Sequence, residues 1–190
     1  MDPSPTVVLD ACVLYSAPLR DLLIRVAQAS LIRARWTEDI HAEWMRNVLI
    51  KNPQTTLERL SRTKSLMNAA VRDCLVTGFH ELVATLHLPD PDDRHVLAAA
   101  IRAKATAIVT FNLRDFPDKL LAPHGITAVH PDGLLSSLLD DSPDDFCVAA
   151  QQQRAALKNP PKSVAEYLAT LELQGLIQTA TKLREFRDRI

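Results

Sequence analysis

The chain has 190 residues, 47% hydrophobic and 24% charged, with 22 Lys and Arg against 23 Asp and Glu and a formal net charge of -1. This balance fits a globular chain of about one domain. It excludes a general nucleic-acid coat, which would be strongly basic, but not a nuclease whose acidic catalytic residues cancel a local basic surface.

Three widely spaced cysteines, Cys12, Cys74 and Cys147, form neither a CxxC pair nor an even disulfide set. That argues against structural zinc and for a reducing, intracellular setting. The opening MDPSPTVVLD has no basic segment ahead of an apolar one and does not read as a signal peptide. TVVLD (6–10) reads as a short, fully buried strand that ends in an acid. Leu19, Leu22, Leu23 and Val26 make the stripe of a helix over 19–29, and IRARWT (32–37) alternates like a strand. Thr37 can cap a helix to about Ile50 with Ile40, Trp44 and Val48 on one face. A helix from about Thr56 to Cys74 follows, with Leu57, Leu60, Met67, Ala70 and Val71 inward, and Gly78 ends that region.

LPDPDDRHVL (88–97) opens a helix to about Lys104, with Asp90 as N-cap and Pro91 in the first helical position. An N-cap is worth about 1 kcal/mol, which accounts for one of its three aspartates. TAIVTF (106–111) is a second buried strand; a short helix near Pro117–Ala122 and a strand at ITAVH (126–130) follow. The apolar run HVLAAAIRAKATAIVTF is broken by Arg102 and Lys104, so no membrane span is expected and the protein should be soluble and cytoplasmic. Strands alternating with helices predict a three-layer α/β/α fold with a central parallel sheet. After Pro131 the pattern is helical only: 131–139, about 144–157 and about 163–173, then the mixed-charge tail KLREFRDRI, read as a solvated face. The predicted division is an α/β domain over 1–135 and a helical C-terminal extension over 136–190.

Ligands of open parallel sheets bind beyond the carboxyl ends of the strands. Asp10 follows the first strand and Asn112 and Asp115 follow TAIVT, so they should reach the same sheet edge. Asp10 could equally cap the next helix, and Asp115 start a turn. Glu43 shares a helix face with Asp39 and Asn47, a pattern also expected of a surface glutamate. Asp93 aligns with Val96, Leu97 and Ala100, the arc facing the sheet, where a carboxylate is costly unless something positive meets it. Asp92 is rotated toward His95 and Ala99 and stays between capping and a supporting role. Carboxylates gathered without a counter-ion repel, and an oxygen-rich cluster suits Mg²⁺ or Mn²⁺.

In this order, VVLDACVLYS, WTEDIHAEWMRNVL, DPDDRHVLAAAI and AIVTFNLRDFP resemble the PIN-domain family, and within it the VapC-type toxins, the ribonuclease halves of toxin–antitoxin pairs. The resemblance covers about residues 6–130, and KNPPKSVAEYLATLELQGL is similar to the tail of one subgroup. It implies a metal-dependent endoribonuclease with catalytic acids Asp10, Glu43, Asp93 and Asp115. Asp10, Asp93 and Asp115 would hold one or two Mg²⁺ or Mn²⁺ ions. Glu43 would complete the shell or orient the attacking water, and Asn112, Asp92 and Thr110 would support. The chain departs from the family at Cys12, where many relatives carry an asparagine whose polar contacts a thiol is not expected to supply.

The implied partners are RNA and a cognate, DNA-binding antitoxin that masks the acidic pocket, with a homodimer built on the apolar surfaces of 19–29 and 40–48. Lys51, Arg59, Arg62, Lys64 and Arg72, with Arg46 and Arg114 near the acids, are the basic candidates for RNA, weighed against ordinary solvated helix charges. A lone histidine is more often structural, which leaves His95 and His124 outside the site. A haloacid dehalogenase-type phosphatase would need an aspartate where Cys12 stands. The remaining rivals are a catalytically silent binding module and a DNA-directed nuclease of the same fold.

Overall fold

The computed structural model describes residues 4–190; the first residues of the stretch read as free of a signal peptide lie outside this range. Strand β1 (Thr6–Leu9) is buried along its whole length, as its unbroken β-branched and apolar run requires. It leads into α1 (Ala11–Tyr15) and α2 (Ala17–Gln28), then edge strand β2 (Arg33–Arg35), α3 (Glu38–Lys51), α4 (Leu57–Ala70) and α5 (His80–Val83). A 3-10 turn (Pro91–Asp93) precedes α6 (Arg94–Arg102) and β3 (Ala107–Val109). A second 3-10 turn (Leu113–Asp115), α7 (Asp118–Leu121) and β4 (Thr127–Val129) complete the α/β part. Four helices follow: α8 (Pro131–Asp141), α9 (Pro143–Ala156), α10 (Val164–Leu173) and α11 (Ile177–Leu183).

The four strands are all parallel, in the order β2-β1-β3-β4. The chain crosses from β1 to β2 in one direction and from β2 through β3 to β4 in the other. Right-handed crossovers therefore put α1 and α2 on one face and α6 and α7 on the opposite one, giving the expected three layers. The order reverses between β1 and β3, and the carboxyl ends of those strands flank the crevice where such sheets bind ligands.

Thr37 caps α3 through its hydroxyl at 3.0 Å from the Ile40 amide, and Thr56 caps α4. Trp36, Trp44, Phe116, Phe146 and Tyr167 are among the fully buried side chains, each worth about 1.5–3 kcal/mol of transfer free energy at this size or above. The C-terminal helices join the same core. α9 packs on α2, the Tyr167 hydroxyl donates to Gln153 Oε1 at 2.8 Å, and Gln153 Nε2 donates to the Pro18 carbonyl at 2.7 Å.

Several expectations need correction. Leu19, Leu22, Leu23, Val26, Ile40 and Trp44 are all sealed inside one chain, so the face offered for a homodimer does not exist as a surface. α4 stops at Ala70, short of Cys74, and Leu57 is 59% exposed; it lies beyond the packed part of its stripe and shares an open groove with Ile50. The terminal charge run is not simply solvated: Leu183 and Ile190 are buried, and Arg184 and Arg189 pair with Glu172 and Asp144. No helix among the described residues is long and apolar enough to cross a membrane.

A single buried carboxylate ties α8 to α11. Asp132, 4% exposed, accepts from the amides of Gln178 and Thr179 (both 2.9 Å) and from the Thr179 hydroxyl (2.7 Å). Asp132→Ala strands these donors and should cost about 2–3 kcal/mol. Calorimetry should show Tm lower by about 4–12 °C; an unchanged Tm would remove Asp132 as the tie.

Candidate active site

Asp10 is the most deeply set of the acids, 2% exposed. Its amide extends the β1–β3 ladder to the Val109 carbonyl (3.1 Å), which places its side chain at the crevice. One oxygen, Oδ1, accepts from the Ala11 amide at 2.6 Å and caps α1. The other, Oδ2, accepts from the Thr110 hydroxyl at 2.7 Å and the Cys12 thiol at 3.0 Å. The capping expected of Asp10 is carried by Oδ1 alone, while Oδ2 is held by side chains. Burial raises its pKa, while the thiol and hydroxyl partners oppose the shift.

Cys12 does what the sequence comparison expected it could not. Its Sγ donates to Asp10, lies 3.3 Å from Thr110 Oγ1, and accepts from the Phe111 amide at 3.3 Å. Burial and the Asp10 charge push its pKa up to about 12, so it remains a thiol and keeps the proton that it donates. Thr110 is fully buried and also accepts from the Asn112 amide at 2.9 Å. Asn112 itself is exposed.

Asp90 caps the Pro91–Asp93 turn, accepting from the Asp92 amide at 2.9 Å. Asp92 is exposed. Asp93 is the last residue of that turn and immediately precedes α6, rather than standing inside the helix. Its pKa is raised to about 7 by burial and then by Asp10, Asp90, Asp115 and Glu43 in turn. Four carboxylates therefore act on one, bringing Asp10, Glu43, Asp93 and Asp115 into a single electrostatic cluster. Asp115, half-buried, ends the 3-10 turn after β3.

Glu43 faces His95, with Oε2 3.4 Å from Nε2. Burial lowers the pKa of His95, but Glu43, with Asp39 and Asp10 behind it, outweighs burial and the net shift is upward. His95 thus belongs to the site from which its isolation in the sequence had excluded it. One turn earlier on α3, Asp39 meets His80 at 3.0 Å, so two histidines of the α5–α6 region answer the acidic face of α3.

The donor set is carboxylate oxygen, the chemistry of Mg²⁺ and Mn²⁺ sites, and the raised pKa of Asp93 marks a place where a divalent cation would relieve repulsion. Among the described residues no group of three His, Cys, Asp or Glu side chains encloses an ion by itself. A cation held here would keep several of its waters, as Mg²⁺ commonly does.

The basic candidates separate into three surfaces. Arg59 and Arg62 line a groove of about 660 Å³ together with Arg20 and Gln174, and no acid lies among the described residues that line it. Lys51 sits over the Tyr15 ring, another lining residue, at 5.5 Å. Arg46 and Lys64 line a separate groove that also holds Glu38, to which Lys64 is paired. Arg72 lines a third with Arg33, Arg35 and Asp73. Arg114 is exposed in the turn that carries Asp115. Arg20, which the sequence did not single out, is half-buried, donates to the Leu14 carbonyl at 2.7 Å and stacks on Trp44 at 4.8 Å.

Two family profiles match the chain: residues 6–114 match the one described as "PIN domain", and residues 131–185 match the one described as "VapC50 C-terminal domain". A Mycobacterium tuberculosis (strain H37Rv) protein named "Putative ribonuclease VapC50" is 41% identical over 91 residues, 46% of this chain and 53% of that protein. The match thus spans about half the length of that curated relative. No solved structure matches.

Asp93 has a folded pKa of about 7 against an ordinary 3.8. Its ionisation therefore destabilises the metal-free fold progressively as pH rises through that interval, with the full effect above it. In chelator, Asp93→Asn should raise Tm more at pH 8 than at pH 5 in scanning fluorimetry. Saturating Mg²⁺ or Mn²⁺ should stabilise the unmutated chain by about 5–11 °C at pH 8, from about 2.7 kcal/mol at 100 times Kd. Parallel curves for the two proteins, with no response to metal, would contradict the cluster.

Proposed function

The chain belongs to the PIN-domain family, and on that basis we propose that it is a metal-dependent endoribonuclease, the toxin of a type II toxin–antitoxin pair acting in the cytoplasm. The observation that carries this reading is the pressure of Asp10, Glu43 and Asp115 on the half-buried Asp93 at the reversal point of a parallel sheet. A half-buried carboxyl whose pKa is raised by burial and by neighbouring acids, in a ligand crevice, identifies a candidate functional group. In this reading residues 1–135 form the nuclease domain and 136–190 the helical extension.

Asp10, Asp93 and Asp115 would hold Mg²⁺ or Mn²⁺, one ion or two. Once bound, such an ion supplies water activation and offsets charge on the phosphodiester during in-line displacement. The protein's own part is preorganisation. Thr110 and Cys12 hold Oδ2 of Asp10, and the Ala11 amide holds Oδ1, so this carboxylate cannot turn away. His95 steers Glu43, which orients the attacking water or completes the shell. Asp92 and Asn112 stand at the rim as supporting groups.

RNA would approach along the acid-free groove of Arg20, Arg59 and Arg62, with Lys51 at its edge and Arg114 beside Asp115; Arg46 and Lys64 form a secondary surface. The antitoxin, a DNA-binding protein, would mask the carboxylates. Ile50, Leu57 and Leu66 are among the exposed apolar side chains that a second copy of the chain could cover. Neither a DNA-directed nuclease nor a silent binding module has an observation of its own in its favour.

RNA cleavage should require Mg²⁺ or Mn²⁺ and stop in chelator. Asp10→Asn and Asp93→Asn should each lower it by at least about 100-fold while preserving the circular dichroism of the fold. Cleavage retained in both purified variants would sink the proposal, and equal cleavage of DNA would redirect it. The groove is tested by salt. For a single strand, log Kobs falls with log salt by about 0.7 per phosphate contacted, so Arg59→Gln with Arg62→Gln should reduce the slope by about 1.4. An unchanged slope would take both arginines out of the path.

A further inference from the structure

The segment that follows Asp10's supporting threonine ends in an aromatic ring. Phe111 is 36% exposed, although its own amide is pinned to the Cys12 thiol (3.3 Å), which in turn donates to Asp10 (3.0 Å). Its backbone is therefore one thiol removed from the deepest carboxylate of the site. The next residue is fixed as well, the Asn112 amide donating to the Thr110 hydroxyl at 2.9 Å. The ring does not swing freely. It meets the His130 imidazole edge-on, with centroids 5.1 Å apart and planes at 74°. A Cβ built on Gly175 would sit 3.7 Å from the ring's Cε1, so the α10–α11 turn lies directly against it.

The two groups that brace the ring are themselves held by the C-terminal helices. His130 Nδ1 accepts from the Asp132 amide at 3.2 Å at the start of α8. Asp132 then anchors the first turn of α11 through Gln178 and Thr179. Gly175, at φ +80°, adopts a left-handed conformation that only glycine takes readily. The preceding residue, Gln174, accepts from the Ser16 hydroxyl at the α1–α2 junction. The same turn thus touches both segments that leave the Asp10 region, one through Ser16 and the other through Phe111. Leu113 and Ile177 are also exposed, at 42% and 55%, so apolar surface stands beside the charge of Arg114 in the same turn.

We propose that Phe111 is a nucleobase-stacking residue at the rim of the acid site, held in position by the α10–α11 turn of the C-terminal helices. The proposal rests on RNA being the substrate and adds what the acids cannot provide. Carboxylates and a cation act on the phosphodiester and are blind to the base, whereas an exposed ring fixed beside them can receive an unstacked base. The Arg20–Arg59–Arg62 groove, which shares Gln174 as a wall, would hold the backbone on the other side of the same turn. In this arrangement the C-terminal helices form part of the substrate site.

The test compares two labelled strands by fluorescence anisotropy, with Ca²⁺ replacing Mg²⁺ to hold back cleavage: a short oligoadenylate and an abasic ribose-phosphate strand of equal length. The unmutated chain should bind the oligoadenylate about tenfold more tightly, the size of one base–aromatic stack. Phe111→Ala should bind both strands at the abasic level, and Phe111→Trp should keep the preference. A preference retained by Phe111→Ala, or absent from the unmutated chain, overturns the assignment. So does an equal loss on both strands in Phe111→Ala, which would make the residue structural only. Metal-dependent RNA cleavage by the unmutated chain is scored in parallel. Cleavage without base preference removes Phe111 and leaves the ribonuclease reading standing; no cleavage and no binding removes both.

Discussion

Removing a carboxylate from water is expensive unless the protein replaces the lost hydration, and Asp10 sits at the end of β1 with 2% of its surface left. Replacement comes from three places at once: the Ala11 amide at the start of α1, the Cys12 thiol within it, and the Thr110 hydroxyl at the end of β3. That set requires β1 and β3 to be neighbours, in parallel and in register from Val7–Ala107 to Leu9–Val109. The strand order with its reversal between them supplies that condition. The direction of α1, the course of the loop through Phe111 and the position of Asp115 all follow from it.

The remaining acids are arranged around this fixed point by different means. Asp93 arrives on a turn closed by Asp90 and Pro91, and Glu43 arrives on α3 and is met by His95. The C-terminal helices bring no carboxylate to the cluster, yet they share the core through Gln153 and Tyr167. Their α10–α11 turn lies against Ser16 and Phe111. An assembly designed only for stability would neutralise Asp93. Here burial, and then four other carboxylates, raise its pKa to about 7, a pressure that a bound cation would relieve.

Much of this was legible in the sequence, for physical reasons that differ between elements. Unbroken runs of β-branched and apolar residues mark β1 and β3, and the rule that ligands sit beyond the carboxyl ends of parallel strands directs Asp10 and Asp115 to one edge. The Asp90–Pro91 pair announced its turn because capping is local chemistry. What escaped was non-local or too short. The five residues of α1 cannot show a helical period. His95 and Glu43 are 52 positions apart in sequence, so neither predicts the other, and Cys12 gains its polar role only when β3 brings Thr110 and Phe111 to it. The apolar stripe of α2 is plain in the sequence, but periodicity cannot distinguish a face that meets a partner from one that meets α9 of the same chain. The basic residues of 51–72 are close in sequence yet line three different grooves, because successive residues of a helix face different directions.

Whether these carboxylates share an ion can be seen directly. Crystals grown with Mn²⁺ and measured at the manganese absorption edge should show an anomalous peak bounded by Asp10 and Asp93, with Asp115 or Glu43 completing the surroundings. A well-ordered site with no peak between Asp10 and Asp93, or manganese bound only by other residues, would contradict the central claim that the acids converge to hold a metal.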